Sequence, residues 1–294
     1  MVQRLGPSQD SLNKDGEHVN TTLRGDAHNL AQRYPEIWER RTPRESLIQW
    51  LWMAGTAFAA IWAMSSLDIE WSFLTDAHEQ AADIARRMWP PRWSYLPEII
   101  QPLIQTVHIA TLGTMVAVVL ALPVAFLAAR NTTANALTWG IGRALLVASR
   151  SINTVIWGLL FVAIFGPGAV AGVFAVAARS IGFIAKLIAE TIEEVDPGQI
   201  EAARATGAGT LQTWWVAILP QVMPVLIGTS IYRWDINVRE SSVLGFVGAG
   251  GIGLYLYASI NSFAWQQVLV ILIAIGVIVL ASEALSAWIR GRIS

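Results

Sequence analysis

Residues 103–129 read LIQTVHIATLGTMVAVVLALPVAFLAA, a run without one Asp, Glu, Lys or Arg that stops at Arg130. A hydrocarbon layer of about 30 Å needs roughly 20 apolar helical residues to cross it. Only a backbone that satisfies its own hydrogen bonds is tolerated there, so the run predicts a membrane-spanning helix. Working outward, the same reading applies to about Leu47–Met64 and Leu137–Phe165, then to Ala169–Ala189, Gln221–Val238 and Phe263–Ala287. The expectation is an all-α membrane protein of about six transmembrane helices. The third run exceeds one crossing and contains Arg143 and Arg150, which predicts a tilt or a break near Ser151. Gly166, Pro167 and Gly168 predict a tight turn after it.

Composition agrees and closes other classes. With 54% hydrophobic and 14% charged residues and a mean hydropathy of +0.48, the chain is too apolar for a soluble domain of its length. A net charge of −1 offers no clustered basic excess for nucleic acid. The absence of cysteine removes disulfides, thiolate zinc sites and a cysteine nucleophile. Residues 1–45 are polar and form a cytoplasmic N-terminal arm, and residues 46–294 form the transmembrane domain. Arg40, Arg41 and Arg44 before the first run, and Arg290 and Arg292 after the last, place both ends in the cytoplasm by the positive-inside rule. Between them, Asp76–Trp89 has helical spacing suited to the outer interface.

The connection between the fourth and fifth runs, about residues 199–220, carries a spaced pattern. Glu201, Ala202 and Ala203 precede Gly207 by a fixed interval, and Leu219 and Pro220 close it. This resembles the EAA coupling loop of ABC importer permeases: EAA, three residues, Gly, nine residues, Ile, any residue, Leu, Pro. The spacing matches throughout, with Ala217 where Ile is usual. Two short helices divided at Gly207 and Gly209 would make a knob able to dock on a partner. Further stretches are similar to phosphonate-type permeases: Thr111–Thr114 leading to Leu127–Asn131, Tyr232–Arg239, and Val243–Gly253. Where that subfamily shows Arg-Ser-Ile-Pro-Glu, this chain has Arg150, Ser151, Ile152, Asn153 and Thr154.

The resemblance implies the type I ABC importer permease fold and an inner-membrane location. It also implies a second copy of the chain, two cytoplasmic ABC ATPase subunits, and an extracytoplasmic solute-binding protein. ATP and Mg would sit on the partner ATPase, with no cofactor bound by this chain. In keeping with that, no GxxxxGK[ST] phosphate loop occurs. Gly248, Gly250 and Gly253 satisfy GxGxxG, yet no βαβ unit or downstream acid accompanies them. The glycine-rich loop 245–253, with Gly251, is read instead as close packing or a gate hinge.

Charges inside spans cost about 2.5–3.5 kcal/mol each at mid-helix and need a partner or a pathway role. In the fifth run Asp235 precedes Arg239 by four residues and Arg233 precedes Glu240 by seven, which predicts mutual neutralisation. Arg150 and Arg179 have no acid within a helical turn. Those two are the candidates for attracting an oxyanion, with snorkelling to an interface as the alternative. Arg233, Asn237, Arg239, Ser241 and Ser242 complete the candidate substrate pathway. No histidine spacing suits a metal, and no catalytic arrangement is evident. The expected function is ATP-driven import of phosphonates, phosphate or phosphite by alternating access. Alternatives are a permease for another small solute such as methionine, or an ion-driven secondary transporter, which should show inverted repeats.

Overall fold

The computed structural model describes residues 43–67, 71–133 and 135–293, and all regular structure among them is helical. Residues 1–42 of the expected N-terminal arm, with Arg40 and Arg41, lie outside the described residues. The described residues fall into two units that divide between residues 77 and 78. In the first, α1 (Pro43–Ser66) is one of the apolar helices long enough to span. Helix α2 (Trp71–Met88) is amphipathic, with Arg87 paired to Asp83 at 2.9 Å one turn before it.

The second unit is a bundle around α3 (Leu96–Ala128) and α6 (Ala169–Glu193), which pack along each other for most of their length. Both helices bury small residues: Ala110, Gly113, Ala117 and Ala121 on α3, and Ala171, Gly172, Ala175 and Ala185 on α6. In lipid the hydrophobic effect does not draw helices together, so close backbone approach has to do so, and small residues permit it. A Cβ on Gly113 would sit 2.6 Å from Val176 Cγ1. Large side chains such as Leu112, Met115 and Val119 stay on the outer surface of α3, as a lipid-facing helix requires.

The third apolar run divides into α4 (Ala136–Ser151) and α5 (Thr154–Phe165), which meet at 95°. Ile152 and Asn153 are extended, and the Asn153 side chain accepts from Val155 N at 3.0 Å, capping α5. The break expected near Ser151 is therefore a full corner. Helices α3 and α6 flank α4, and α5 packs on α6. Among the described residues five helices are long and apolar enough to cross a membrane, and the bent pair makes six if it counts as one span.

After α6 come α7 (Pro197–Ala205), the single turn α8 (Thr210–Thr213), a π-helical turn Trp214–Ile218, and α9 (Leu219–Leu244). Helix α9 packs on α3 and α6, and α11 (Trp265–Ile293) packs on α9. Between them a short helix, α10 (Ile252–Asn261), follows the glycine-rich turn. Two helix ends and one whole helix differ from expectation. Helix α3 begins at Leu96, because Pro97 lies in its first turn where a missing N–H costs nothing. Helix α9 runs to Leu244, past Val238, because its charges are paired inside the bundle. Helix α10 was not foreseen, since its ten residues are too few to span.

Candidate functional site

Several polar side chains of the spans meet in one cluster where α3, α6 and α9 approach the α4–α5 corner. Arg233 is buried, with Nη2 donating to Glu240 Oε2 at 3.1 Å and Nε donating to Ser180 Oγ at 3.0 Å. Asn237 is fully buried and its Nδ2 donates to Thr114 Oγ1 on α3 at 2.8 Å and to Ser180 Oγ on α6 at 3.0 Å. The α9 register produces this, since residues 233, 237 and 240 fall on one helical face.

Arg179 on α6 joins from the other side. Its Nε stands 3.5 Å from Glu240 Oε1, an ion pair without a hydrogen bond, and that Nε has no hydrogen-bond partner. Its Nη1 donates to Ile152 O at 3.3 Å, a carbonyl in the corner itself. The first residue of α5, Thr154, donates its hydroxyl to Glu240 Oε2. Glu240 thus holds two arginines and one end of the corner. Its side chain is 23% exposed against 4% for Arg233, so the cluster reaches an accessible surface.

Both pairs expected within α9 form. Arg239 does pair with Asp235, whose other oxygen accepts from Ser282 of α11 at 2.8 Å. But Arg179, which has no acid within a helical turn of α6, shares Glu240 with Arg233. Two arginines on one carboxylate leave a formal excess of one positive charge. Arg150 makes no ion pair among the described residues, and it lines a cleft of about 330 Å³ with Arg143, Ser151 and Lys186. Arg143 and Lys186 face Glu193 at 3.8 Å and Glu190 at 3.4 Å respectively. Ser241 Oγ is buried without a hydrogen-bond partner, whereas Ser242 Oγ donates back to Val238 O at 3.3 Å.

The connection after α6 is a projecting elbow. Asp196 caps α7 through Gly198 N at 2.9 Å, and Gly207 turns the chain with φ +83°. Glu201 and Ala202 are exposed. Ala202, Ala203, Gly207, Gln212 and Ala217 line a groove of about 650 Å³. Leu219 and Pro220 open α9 directly behind the π turn, and Trp214 of that turn stacks on Phe126 of α3, with centroids 4.6 Å apart. A push on α7 therefore has a packed route into the spans.

Residues 121–294 match the family of binding-protein-dependent transport system inner membrane components. The chain belongs to this family. It is 42% identical over 236 residues to a phosphite transport system permease protein of Stutzerimonas stutzeri, covering 80% of this chain and 85% of that one. A phosphate-import permease protein of Mycolicibacterium smegmatis is 43% identical over 71% of this chain, which spans 40% of that longer relative. Among solved structures, a chain of the inward-facing MetNI methionine ABC transporter superposes with a TM-score of 0.57 at 23% identity, over 67% of this chain and 96% of that one. The fold is that of type I ABC importer permeases. Membership replaces the ion-driven alternative.

In this permease the glycine-rich stretch is a compact turn. Gly248, Gly250 and Gly251 have φ near +80°, a region L side chains avoid. Gly251 N donates to Gln105 Oε1 at 3.0 Å and Ile252 N to Thr106 Oγ1 at 2.8 Å, which ties the turn to α3. Gly253 packs against Ser242 O and Gly245. Sequence reasoning named Thr114 and Thr154 only within the family-like stretches, without a site role, and did not name Ser180 or Ser282. The signal of the last two was a hydroxyl within a mostly apolar helix.

Proposed function

We propose that this permease carries a phosphorus oxyanion (phosphite, phosphate or a phosphonate) across the cytoplasmic membrane as the transport subunit of an ABC importer. The observation that carries the reading is the positive excess at Arg179 and Arg233, held by one carboxylate. Arginine forks match tetrahedral oxyanions bidentately, and a net positive site in a span has no use for a neutral solute. The names of the two similar permeases support the same ligand class. Arg150, in its basic cleft, Arg239, Ser241 and Ser242 belong to the proposed pathway, and the 248–253 turn is its proposed gate.

The chain would work as a homodimer with two cytoplasmic ATPases and an extracytoplasmic binding protein. Residues 199–220 dock on the ATPases, with Glu201, Ala202, Ala203 and Gly207 at the contact and Leu219 and Pro220 relaying it to α9. ATP and Mg bind on those partners, and this chain supplies no hydrolytic group. Closure of the ATPases brings the two elbows together and opens the bundles outward, the binding protein releases its anion, and hydrolysis restores the inward-open state. The test is uptake by liposomes holding the assembled transporter, with phosphite, phosphate, 2-aminoethylphosphonate and methionine as separate substrates. ATP-dependent uptake of a phosphorus oxyanion supports the reading, and uptake of methionine alone overturns it.

A further inference from the structure

Glu240 does two things at once. It pairs with both Arg179 and Arg233, and through the Thr154 hydroxyl it holds the first residue of α5. Arg179, its ion-pair partner, also holds Ile152 O on the other side of Asn153. The 95° corner between α4 and α5 is thus clamped at both ends by one carboxylate–arginine pair. The clamp is incomplete in a specific way. Three donor groups share two carboxylate oxygens, Arg179 Nε is left without a hydrogen bond, and Arg233 meets Glu240 through Nη2 alone, its Nε donating to Ser180. A tetrahedral oxyanion with three charged oxygens can engage both guanidinium forks more fully than a carboxylate so shared.

We propose that Glu240 is an internal stand-in for the transported anion: it occupies the arginine site in the ligand-free protein, and the arriving oxyanion displaces it and releases the α4–α5 corner. This rests on the oxyanion reading given above. Displacement exchanges one anion for another, so the arginines keep an anionic partner in both states, and the ligand biases the corner by its higher affinity for the state in which Glu240 has withdrawn. The side-chain exposures fit, with Arg179 at 30% and Glu240 at 23% open to the approach while Arg233 lies behind at 4%. Arg150, two residues before Ile152 in a basic cleft, lies on the α4 side of the same corner. A solute without net negative charge could not make the exchange, so Glu240 also makes anionic charge a condition of passage.

The chain has no cysteine, so Leu145→Cys and Leu160→Cys, at exposed positions on α4 and α5, can be spin-labelled selectively. The distance across the corner is then measured in the assembled transporter in nanodiscs, with labelled subunits diluted by unlabelled ones. Phosphite at millimolar concentration should shift the wild-type distribution. In Glu240→Gln the shifted distribution should be present without any anion, and phosphite should move it no further. Thr154→Val, which loses the hydroxyl and keeps both ion pairs, should shift part of the population, and Thr154→Ser should restore it. That pair decides the matter if Glu240→Gln does not assemble. An unshifted ligand-free distribution in every Glu240→Gln and Thr154→Val sample that assembles overturns the proposal. The Glu240→Gln and Thr154→Val arms need no ligand, so failure of wild-type liposomes to import any phosphorus oxyanion, with those arms shifted, sinks the oxyanion reading while the clamp stands; import without a phosphite-induced shift of the wild-type corner overturns the displacement itself.

Discussion

Arg179 Nη1 donates to the carbonyl of Ile152 at 3.3 Å while its Nε faces Glu240 at 3.5 Å, so one side chain joins α6 both to the corner and to α9. The corner has spent two residues of helical hydrogen bonding, and a carbonyl freed in hydrocarbon needs a donor. Arg179→Gln keeps a donor for that carbonyl but loses the charge, whereas Arg179→Leu loses both. We expect Arg179→Gln to fold and to cut oxyanion uptake at least tenfold. Arg179→Leu should in addition destabilise the protein by about 1–3 kcal/mol, the cost of an unsatisfied buried group. Thermal unfolding in detergent, read beside liposome uptake, separates the two effects.

Gly172 gives a packing prediction. A Cβ there would stand 2.5 Å from the backbone oxygen of Ala249 and 3.1 Å from Ile109 Cγ2, so the glycine-rich turn would have to move away from α6. Gly172→Ala should lower stability by about 1–3 kcal/mol through overpacking. Gly228→Ala on α9 meets nothing within 4 Å and is the matched control. It should be neutral or raise stability by up to about 1 kcal/mol, since alanine is the better helix former. Equal melting shifts for the two variants would count against the tight seating of the turn.

The spans were legible because length and apolarity are local properties, and so was the corner, because a run too long for one crossing with arginines inside it has to deviate. What the sequence withheld depends on how helices are rotated against each other. Helical spacing on α9 correctly paired Asp235 with Arg239 and Arg233 with Glu240. It had no access to the approach of Arg179 from α6, which turned a balanced cluster into a positive one. The same limit hid the roles of Thr114, Ser180 and Ser282, whose partners lie on other helices. Helix α10 escaped for a different reason: residues 252–261 continue the glycine-rich run without a polar boundary.

Exposure at the elbow makes the coupling role separable from folding. Glu201 is exposed on α7, and surface changes of this kind move stability by no more than about 0.5 kcal/mol. Glu201→Gln should therefore leave the melting curve of the isolated permease unchanged, while ligand-stimulated ATP hydrolysis by the assembled transporter falls at least severalfold. Gly207→Ala meets no neighbouring atom but forces alanine to φ +83°. The cost is about 1 kcal/mol of local strain, confined to the elbow. Unfolding of the bundle by either change would argue against a docking knob.

The Asp235–Arg239 pair allows a test of whether charge or geometry matters on the α11 side of α9. Asp235 is buried and also accepts from Ser282, whereas the Arg239 side chain is 45% exposed. Removing one partner of such a pair leaves the other charge uncompensated and costs more than removing both. Asp235→Asn should destabilise by about 1–2 kcal/mol, less than for a fully buried pair because the Arg239 left facing an amide is partly solvated. The double change Asp235→Asn with Arg239→Gln should recover at least about 1 kcal/mol of that, the range of coupling seen between contacting residues. If the pair is only structural, the double variant transports as well as wild type. If Arg239 also guides the anion, stability recovers and uptake does not, and a double-mutant cycle on both quantities distinguishes these outcomes in one set of proteins.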